Sequence, residues 1–246
     1  MTGPPTRRLI VNADDFGQTP GINEGIIQCH ERGIVTSASL MVRWPAARPA
    51  AAYARANAGL SVGLHLDLGE WICRNDEWTE LYSVVLDEEP DTLSAETARQ
   101  LEAFRGLMNA DPTHIDSHQH VHRSAPFDAI VDELGTTMGV PVRRRSDAIQ
   151  YVGGFYGQGR DGASLRGAIS VEHLVEILRA LPDGTTELGC HPGLRHDAPG
   201  MYVAEREQEV SVLCDPRVRA AIAAEGIELI SFREAGAPSP LPVRSA

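Results

Sequence analysis

Short runs of apolar, β-favouring residues recur along this chain, and a longer stretch of helical pattern follows most of them. That alternation marks a parallel sheet whose strands are joined by helical crossovers. The expected strands are Arg8–Asn12, Ser37–Val42, Leu60–Leu66, His114–Ser117, Val140–Arg143, Glu187–Cys190 and Ile227–Ser231. Helices are expected from about Gly21 to Glu31 with Gly33 as its cap, over the Ala-rich stretch Ala46–Ala58, and from Ser94 to about Met108. Further helices are expected over Phe127–Met138, Ser170–Leu181, Ala204–Leu213 and Pro216–Ala224. Two segments read as long loops: acidic Asp67–Pro90, which carries Trp71 and Trp78, and Tyr151–Gly162, rich in glycine and aromatics. Seven strands of this kind predict an α/β fold, a single irregular TIM-like (β/α) barrel over residues 1–235 with a loose Pro-rich tail at 236–246. A doubly wound open sheet is the alternative. Both architectures place their sites at the carboxyl ends of the strands.

Composition narrows the function. With 22 basic and 34 acidic residues the net charge is −12, which disfavours nucleic acid, because a phosphate backbone needs a basic face. Arg143, Arg144 and Arg145 form the one basic cluster, read as a strand end with a local role or a solvated patch. Met1–Arg8 lacks the apolar core of a signal peptide, and no run reaches the roughly 18 apolar residues that span a bilayer. The expectation is a cytoplasmic protein without an integral membrane segment, a homodimer by base rates. Cys29, Cys73, Cys190 and Cys214 are scattered with no CxxC pair, the pattern of reduced thiols.

Ligand-type residues fall where strands end. Asp14 and Asp15 follow the first strand, His65 ends the third, Asp116, His118, His120 and His122 follow the fourth, Arg143 ends the fifth and His191 follows the sixth. In a parallel sheet all of these converge on one rim. Singly they are weaker: Asp14-Asp15 could be solvated loop carboxylates, and a lone His65 in an apolar strand reads more readily as a core histidine. The histidine run, with His114 before it, is harder to explain as packing. In extended chain, alternation puts His118, His120 and His122 on one face. Cys190 and His191 would point to opposite faces, so they are not a nucleophile–base pair. One carboxylate and two imidazoles can hold an ion with positions left open for water and substrate. Such an ion polarises an acyl oxygen and acidifies its bound water, a second carboxylate serves as base, and a histidine protonates the leaving group. Trp71, Trp78, Phe155 and Tyr156 suit the apolar faces of sugar rings, or simply anchor their loops.

Leu9-Ile-Val-Asn-Ala-Asp-Asp-Phe-Gly17 resembles the opening of the YdjC-like carbohydrate deacetylases. So do Gly33-Ile-Val-Thr-Ser37, Val62-Gly-Leu-His65, Thr113-His-Ile-Asp-Ser-His-Gln-His-Val-His122 and Gly189-Cys-His-Pro-Gly193, in the same order. The resemblance implies a TIM-like barrel that removes acetyl groups from N-acetylated sugars or glycolipids with one divalent cation, Mg²⁺ or Zn²⁺. By that resemblance Asp15, His65 and His118 hold the ion, Asp14 is the base and His191 the acid. Asp116 orients a ligand histidine from behind, and His120 and His122 touch substrate or support the site. A metal phosphoesterase on a similar barrel and a non-catalytic sugar-binding protein are the competing readings.

Overall fold

The computed structural model describes residues 7–74 and 77–235, so the tail expected at 236–246 lies outside the described residues. In chain order the strands are β1 (Arg7–Phe16), β2 (Ser37–Leu40), β3 (Ser61–Leu66), β4 (Gly69–Arg74), β5 (Glu77–Ser83), β6 (Ile115–Ser117), β7 (Ile149–Val152), β8 (Gly184–Cys190) and β9 (Glu228–Leu229). The helices are α1 (Pro20–Arg32), α2 (Ala47–Ala56), α3 (Pro90–Met108), α4 (Phe127–Met138), α5 (Val171–Arg179), α6 (Ala204–Leu213), α7 (Pro216–Ala224) and α8 (Phe232–Ala235).

The seven-stranded sheet runs β6-β3-β2-β1-β8-β7, with β9 paired to the start of β1, and every pairing is parallel. Read outward from β1, one side ascends through β2, β3 and β6, while the other begins with β8 and descends to β7. That is the order of a ring opened once. A doubly wound sheet would instead set an intermediate strand beside β1. The parallel sheet is therefore curled into a half-barrel, open between the β6 edge and β7.

Two strand expectations change. Val140–Arg143 forms no strand but a single bridge, Ile115 to Val142, because Pro141 has no N–H to extend a ladder and Arg144 turns away with φ 61°. In its place Ile149–Val152, whose latter half falls in an expected loop, pairs with β8. The acidic loop after β3 contains an antiparallel hairpin, β4–β5, outside the barrel. Helix α3 begins at Pro90 rather than Ser94, since proline's missing N–H costs nothing in a first turn. The Ala-rich helix expected on the surface buries Ala47, Ala50, Ala51 and Ala54 along one face.

Alternation along β1 separates two environments. Leu9, Val11 and Ala13 join the large apolar cluster that packs the sheet against its helices, a cluster running from Leu9 to Ile227. Ile10 instead packs with Ile230 and Phe232, and the His114 ring stacks on Phe232 at 3.7 Å. This small apolar cluster lies where β9 pairs with the start of β1, while Asp14, Asp15, His65 and His191 line a cavity at the other ends of the strands. Among the described residues no helix is long and apolar enough to cross a membrane. All four cysteines are free thiols, and Cys190 is fully buried.

The loop after β8 sits directly on α1. A Cβ on Gly25 would lie 2.5 Å from Gly193 Cα and 2.7 Å from Gly193 N, a separation that side-chain movement cannot relieve. In an exposed helix Gly→Ala would gain about 1 kcal/mol. Here overpacking, which costs about 1–3 kcal/mol, outweighs that gain. Gly25→Ala is expected to lower the melting temperature by roughly 2–4 °C for each kcal/mol of net loss, and a calorimetric scan showing a rise would remove this contact as a constraint.

Candidate active site

A bulge at the end of β1 makes the site. The pairing of β1 with β2 shifts between Ala13 and Phe16, and Asp15 takes a left-handed φ of 66°. Aspartate tolerates this conformation better than most side chains. The break in alternation lets two consecutive carboxylates line the same cavity, where regular strand would send one outward.

Their partners differ. Asp14 is gripped by Arg143, whose Nη1 and Nη2 donate to its two oxygens at 2.6 and 2.7 Å. The same guanidinium reaches Asp116 Oδ2 at 2.8 Å and Glu187 Oε1 at 2.7 Å, all of it buried. Burial alone would raise the carboxyls of Asp14 and Asp116, but Arg143 holds both below the ordinary range. Asp15 is held by Arg206, Nη2 donating to Oδ2 at 2.6 Å, which leaves Oδ1 toward two histidines.

His65, on β3, donates from Nδ1 to Asp116 Oδ1 at 2.7 Å and places Nε2 3.3 Å from Asp15 Oδ1. His118 follows β6 and sets Nδ1 2.9 Å from that same oxygen. Ligand atoms of Asp15, His65 and His118 all lie within 4.8 Å of one another. Donors about 2.0–2.2 Å from a shared tetrahedral or octahedral ion stand roughly 3.0–3.5 Å apart, so this spacing fits one. His65 Nε2 is buried with no hydrogen-bond partner among the described residues. The triad can bind a divalent metal. A second grouping, Asp14, His65 and Asp116, meets the same distance limit, but Arg143 already pairs with both of its carboxylates.

The remaining expected residues separate. His191 stands across the cavity, Nε2 3.7 Å from Asp14 Oδ2, and burial lowers its pKa to about 4. The histidines after β6 do not share a face as extended chain would require. They form a 3-10 turn in which Gln119 and His120 take φ of 50° and 56°. His120 reaches the cavity beside Tyr151, Nε2 3.4 Å from its hydroxyl. His122 turns behind it, bonded to Ser117 Oγ at 2.6 Å and to the Arg143 carbonyl at 3.2 Å. Trp71, Trp78 and Tyr156 line a cavity of about 560 Å³, whereas Phe155 is wholly buried in the apolar core and away from its wall. Arg144 lies over the Tyr151 ring at 4.1 Å and Arg145 pairs with Asp132 at the surface.

The profile of the family described as YdjC-like protein matches residues 8–224. The chain belongs to the YdjC-like family. This YdjC-like chain is 32% identical over 250 residues to the carbohydrate deacetylase of Geobacillus stearothermophilus, covering 93% of itself and 98% of that protein. It is 34% identical over 264 residues to the chitooligosaccharide deacetylase of Serratia marcescens, covering 92% and 98%. Among solved structures, the family 4 carbohydrate esterase from Streptomyces lividans shares 15% identity at a TM-score of 0.55, covering 95% of this chain and 98% of that one. That likeness concerns the deformed barrel alone.

Several residues of the YdjC-like site lie beyond strand ends. Arg206 and Glu209 come from α6: Arg206 also donates to the carbonyls of Tyr202 and His191, and Glu209 accepts the His191 backbone N–H. Tyr202 donates to Glu209 and stacks on Tyr156 at 4.6 Å. Glu187, within β8, and Glu70, on β4, complete the carboxylates. The signal for α6 was its first six residues, Ala-Glu-Arg-Glu-Gln-Glu, which offer no apolar stripe although the helix packs.

Two outcomes follow from these charges. Arg143→Ala strands three buried carboxylates and should cost about 3–5 kcal/mol near neutral pH, as for a broken buried pair. In wild type the lowered carboxyls of Asp14 and Asp116 lose their stabilising effect only below the unfolded value near 3.9, whereas in the variant burial without the counter-ion raises them and protonation relieves that cost as pH falls toward 4. The gap between wild type and variant in urea unfolding should therefore shrink from pH 7 toward pH 4; a constant gap would exclude Arg143 as the counter-ion. In the metal-free protein burial pulls His65 and His118 down, yet Asp116 and Asp15 respectively raise them to about 10 and about 9. Both rings are then protonated at pH 7, and an ion must displace those protons. Calorimetry in buffers of differing ionisation enthalpy should show about two protons released per ion and affinity rising with pH; release of none would contradict the assignment of both rings.

Proposed function

We propose that this protein is a metal-dependent hydrolase that removes acetyl groups from N-acetylated amino sugars. The observation that carries the reading is the division of labour around the Asp15 bulge: one carboxylate–imidazole triad with ligand atoms close enough to share an ion, and Asp14 and His191, 3.7 Å apart, lining the same cavity. The deacetylase relatives support the same class. Two imidazoles and one carboxylate favour Zn²⁺ or another transition ion over Mg²⁺. When bound, the ion supplies Lewis-acid polarisation of the acyl oxygen and a more acidic water.

The chain's own residues do the proton work. Arg143 fixes Asp14 in one orientation and keeps it ionised, so it can accept a proton from the attacking water. His191 is neutral at pH 7 and is not a preloaded acid. Its Nε2, beside Asp14 Oδ2, is placed to take that proton on and deliver it to the sugar nitrogen as the C–N bond breaks, giving acetate and the free amine. Exposed Trp71 and Trp78 at the rim offer apolar faces to sugar rings, and Tyr156 stands nearer His191.

The test is a screen of acetylated amino sugars beside phosphate esters, with acetate and phosphate both measured. Acetate release from N-acetylglucosamine oligosaccharides, lost on chelation and restored by a divalent ion, is expected. Asp14→Asn should retain the ion while kcat falls by roughly 10²–10⁴. His191→Ala should harm amide cleavage far more than cleavage of an activated aryl acetate, whose phenolate leaves unaided. Phosphate release without acetate would replace this reading with the phosphoesterase.

A further inference from the structure

The hairpin brings to the site one buried carboxylate for which the reaction above has no use. Glu70, on β4, is 7% exposed. Its Oε2 has no hydrogen-bond partner among the described residues and sits 3.8 Å from His118 Nε2, which has none either. The loop carrying Gly200 closes over the other oxygen, since a Cβ there would fall 1.8 Å from Oε1. A buried carboxylate left without a donor is costly and rare. Here it faces an imidazole nitrogen similarly left alone.

The two histidines of the triad are arranged alike. Asp15 Oδ1 meets Nε2 of His65 at 3.3 Å and Nδ1 of His118 at 2.9 Å. The far nitrogen of His65 is held by Asp116 at 2.7 Å, and the far nitrogen of His118 faces Glu70. A histidine that ligates a metal nearly always donates its other N–H to a carboxylate, carbonyl or water, which fixes its tautomer and makes it a better donor. We infer that Glu70 is the positioning residue of His118, accepting Nε2–H so that Nδ1 is presented to the ion. This rests on the metal reading above. Glu70 is no member of the donor group whose atoms all lie within 4.8 Å, which separates it from the ligands themselves.

The hairpin is tied to the same turn at the next residue. Trp71 N–H donates to Gln119 Oε1 at 2.9 Å and Gln119 Nε2 donates back to the Trp71 carbonyl at 2.7 Å. Consecutive residues of β4 thus face consecutive residues of the turn, so the strand that displays Trp71 to the cavity also places Glu70 beside His118.

The experiment titrates metal-free protein with Zn²⁺ by calorimetry and records the visible spectrum of the Co²⁺ form. Wild type should bind one ion. Glu70→Ala should bind it about 10–100-fold more weakly, the usual effect of removing such a partner, with the Co²⁺ coordination number unchanged. Glu70→Gln, which keeps an acceptor, should lose less and carries the test if the alanine variant fails to fold. Trp78→Ala, elsewhere on the hairpin, should retain wild-type metal affinity. Wild-type affinity in both Glu70 variants would overturn the inference and leave the metal site standing. A changed coordination number would make Glu70 a ligand, and an equal loss in Trp78→Ala would assign the effect to the hairpin at large; either overturns it. No ion bound by wild type would remove the metal reading itself.

Discussion

One buried guanidinium organises this protein. Arg143 lies in the barrel interior with Asp14 from β1, Asp116 from β6 and Glu187 from β8 around it, so three strands and one irregular segment meet at a single cation. Buried ion pairs seldom add net stability, because desolvation consumes the Coulombic gain. What Arg143 contributes is an allocation. It engages Asp14, Asp116 and Glu187, and Arg206 takes only one oxygen of Asp15. Of the interior carboxylates contributed by the sheet, Asp15 alone keeps an oxygen toward both histidines. The position of the candidate metal site thus follows from which carboxylates the arginines leave unsatisfied.

The backbone makes a complementary contribution through positive φ. At Asp15 the left-handed residue breaks the alternation of β1 and aims adjacent carboxylates into one cavity. At Gln119 and His120 two such residues turn the chain immediately after His118, separating histidines that extended chain would have aligned. Each conformation carries strain for a residue with a side chain. Both occur beside the triad, where the interior network holds the chain in place.

These causes also explain what the sequence disclosed. The rim residues were legible because a parallel sheet brings every strand end together, and α4 and α7 matched their expected limits because Gly139 stops the first while Asp215 and Pro216 open the second. Val140–Arg143 misled because its apolar run looked like a strand, while Pro141 and the inward Arg143 break the ladder. His120 and His122 misled because alternation presumes an extended chain. Arg206, Glu209 and Glu70 were invisible for a different reason. On a helix or hairpin a charged residue reads as a solvated face, and only the packing of α6 against the His191 loop buries the first two. Phe155 and Tyr156 look alike in sequence, yet an irregular loop has no fixed alternation: Phe155 is buried in the core and only Tyr156 meets the cavity.

The same allocation of charge bears on which reaction the floor of the cavity suits. Phosphoryl transfer spreads negative charge over equatorial oxygens and is served by cations free to meet them. Both floor arginines are already committed: Arg143 to Asp14, Asp116 and Glu187, and Arg206 to Asp15 and the carbonyls of Tyr202 and His191. Arg144 and Arg160 line the cavity, and Arg144 lies over the Tyr151 ring. Acyl transfer asks for less positive charge and more exact proton traffic, one base near the attacking water and one group near the leaving nitrogen. Asp14 and His191, 3.7 Å apart, are the pair we propose for these two roles. A protein that only bound sugar would need the tryptophans at the rim and neither of these two.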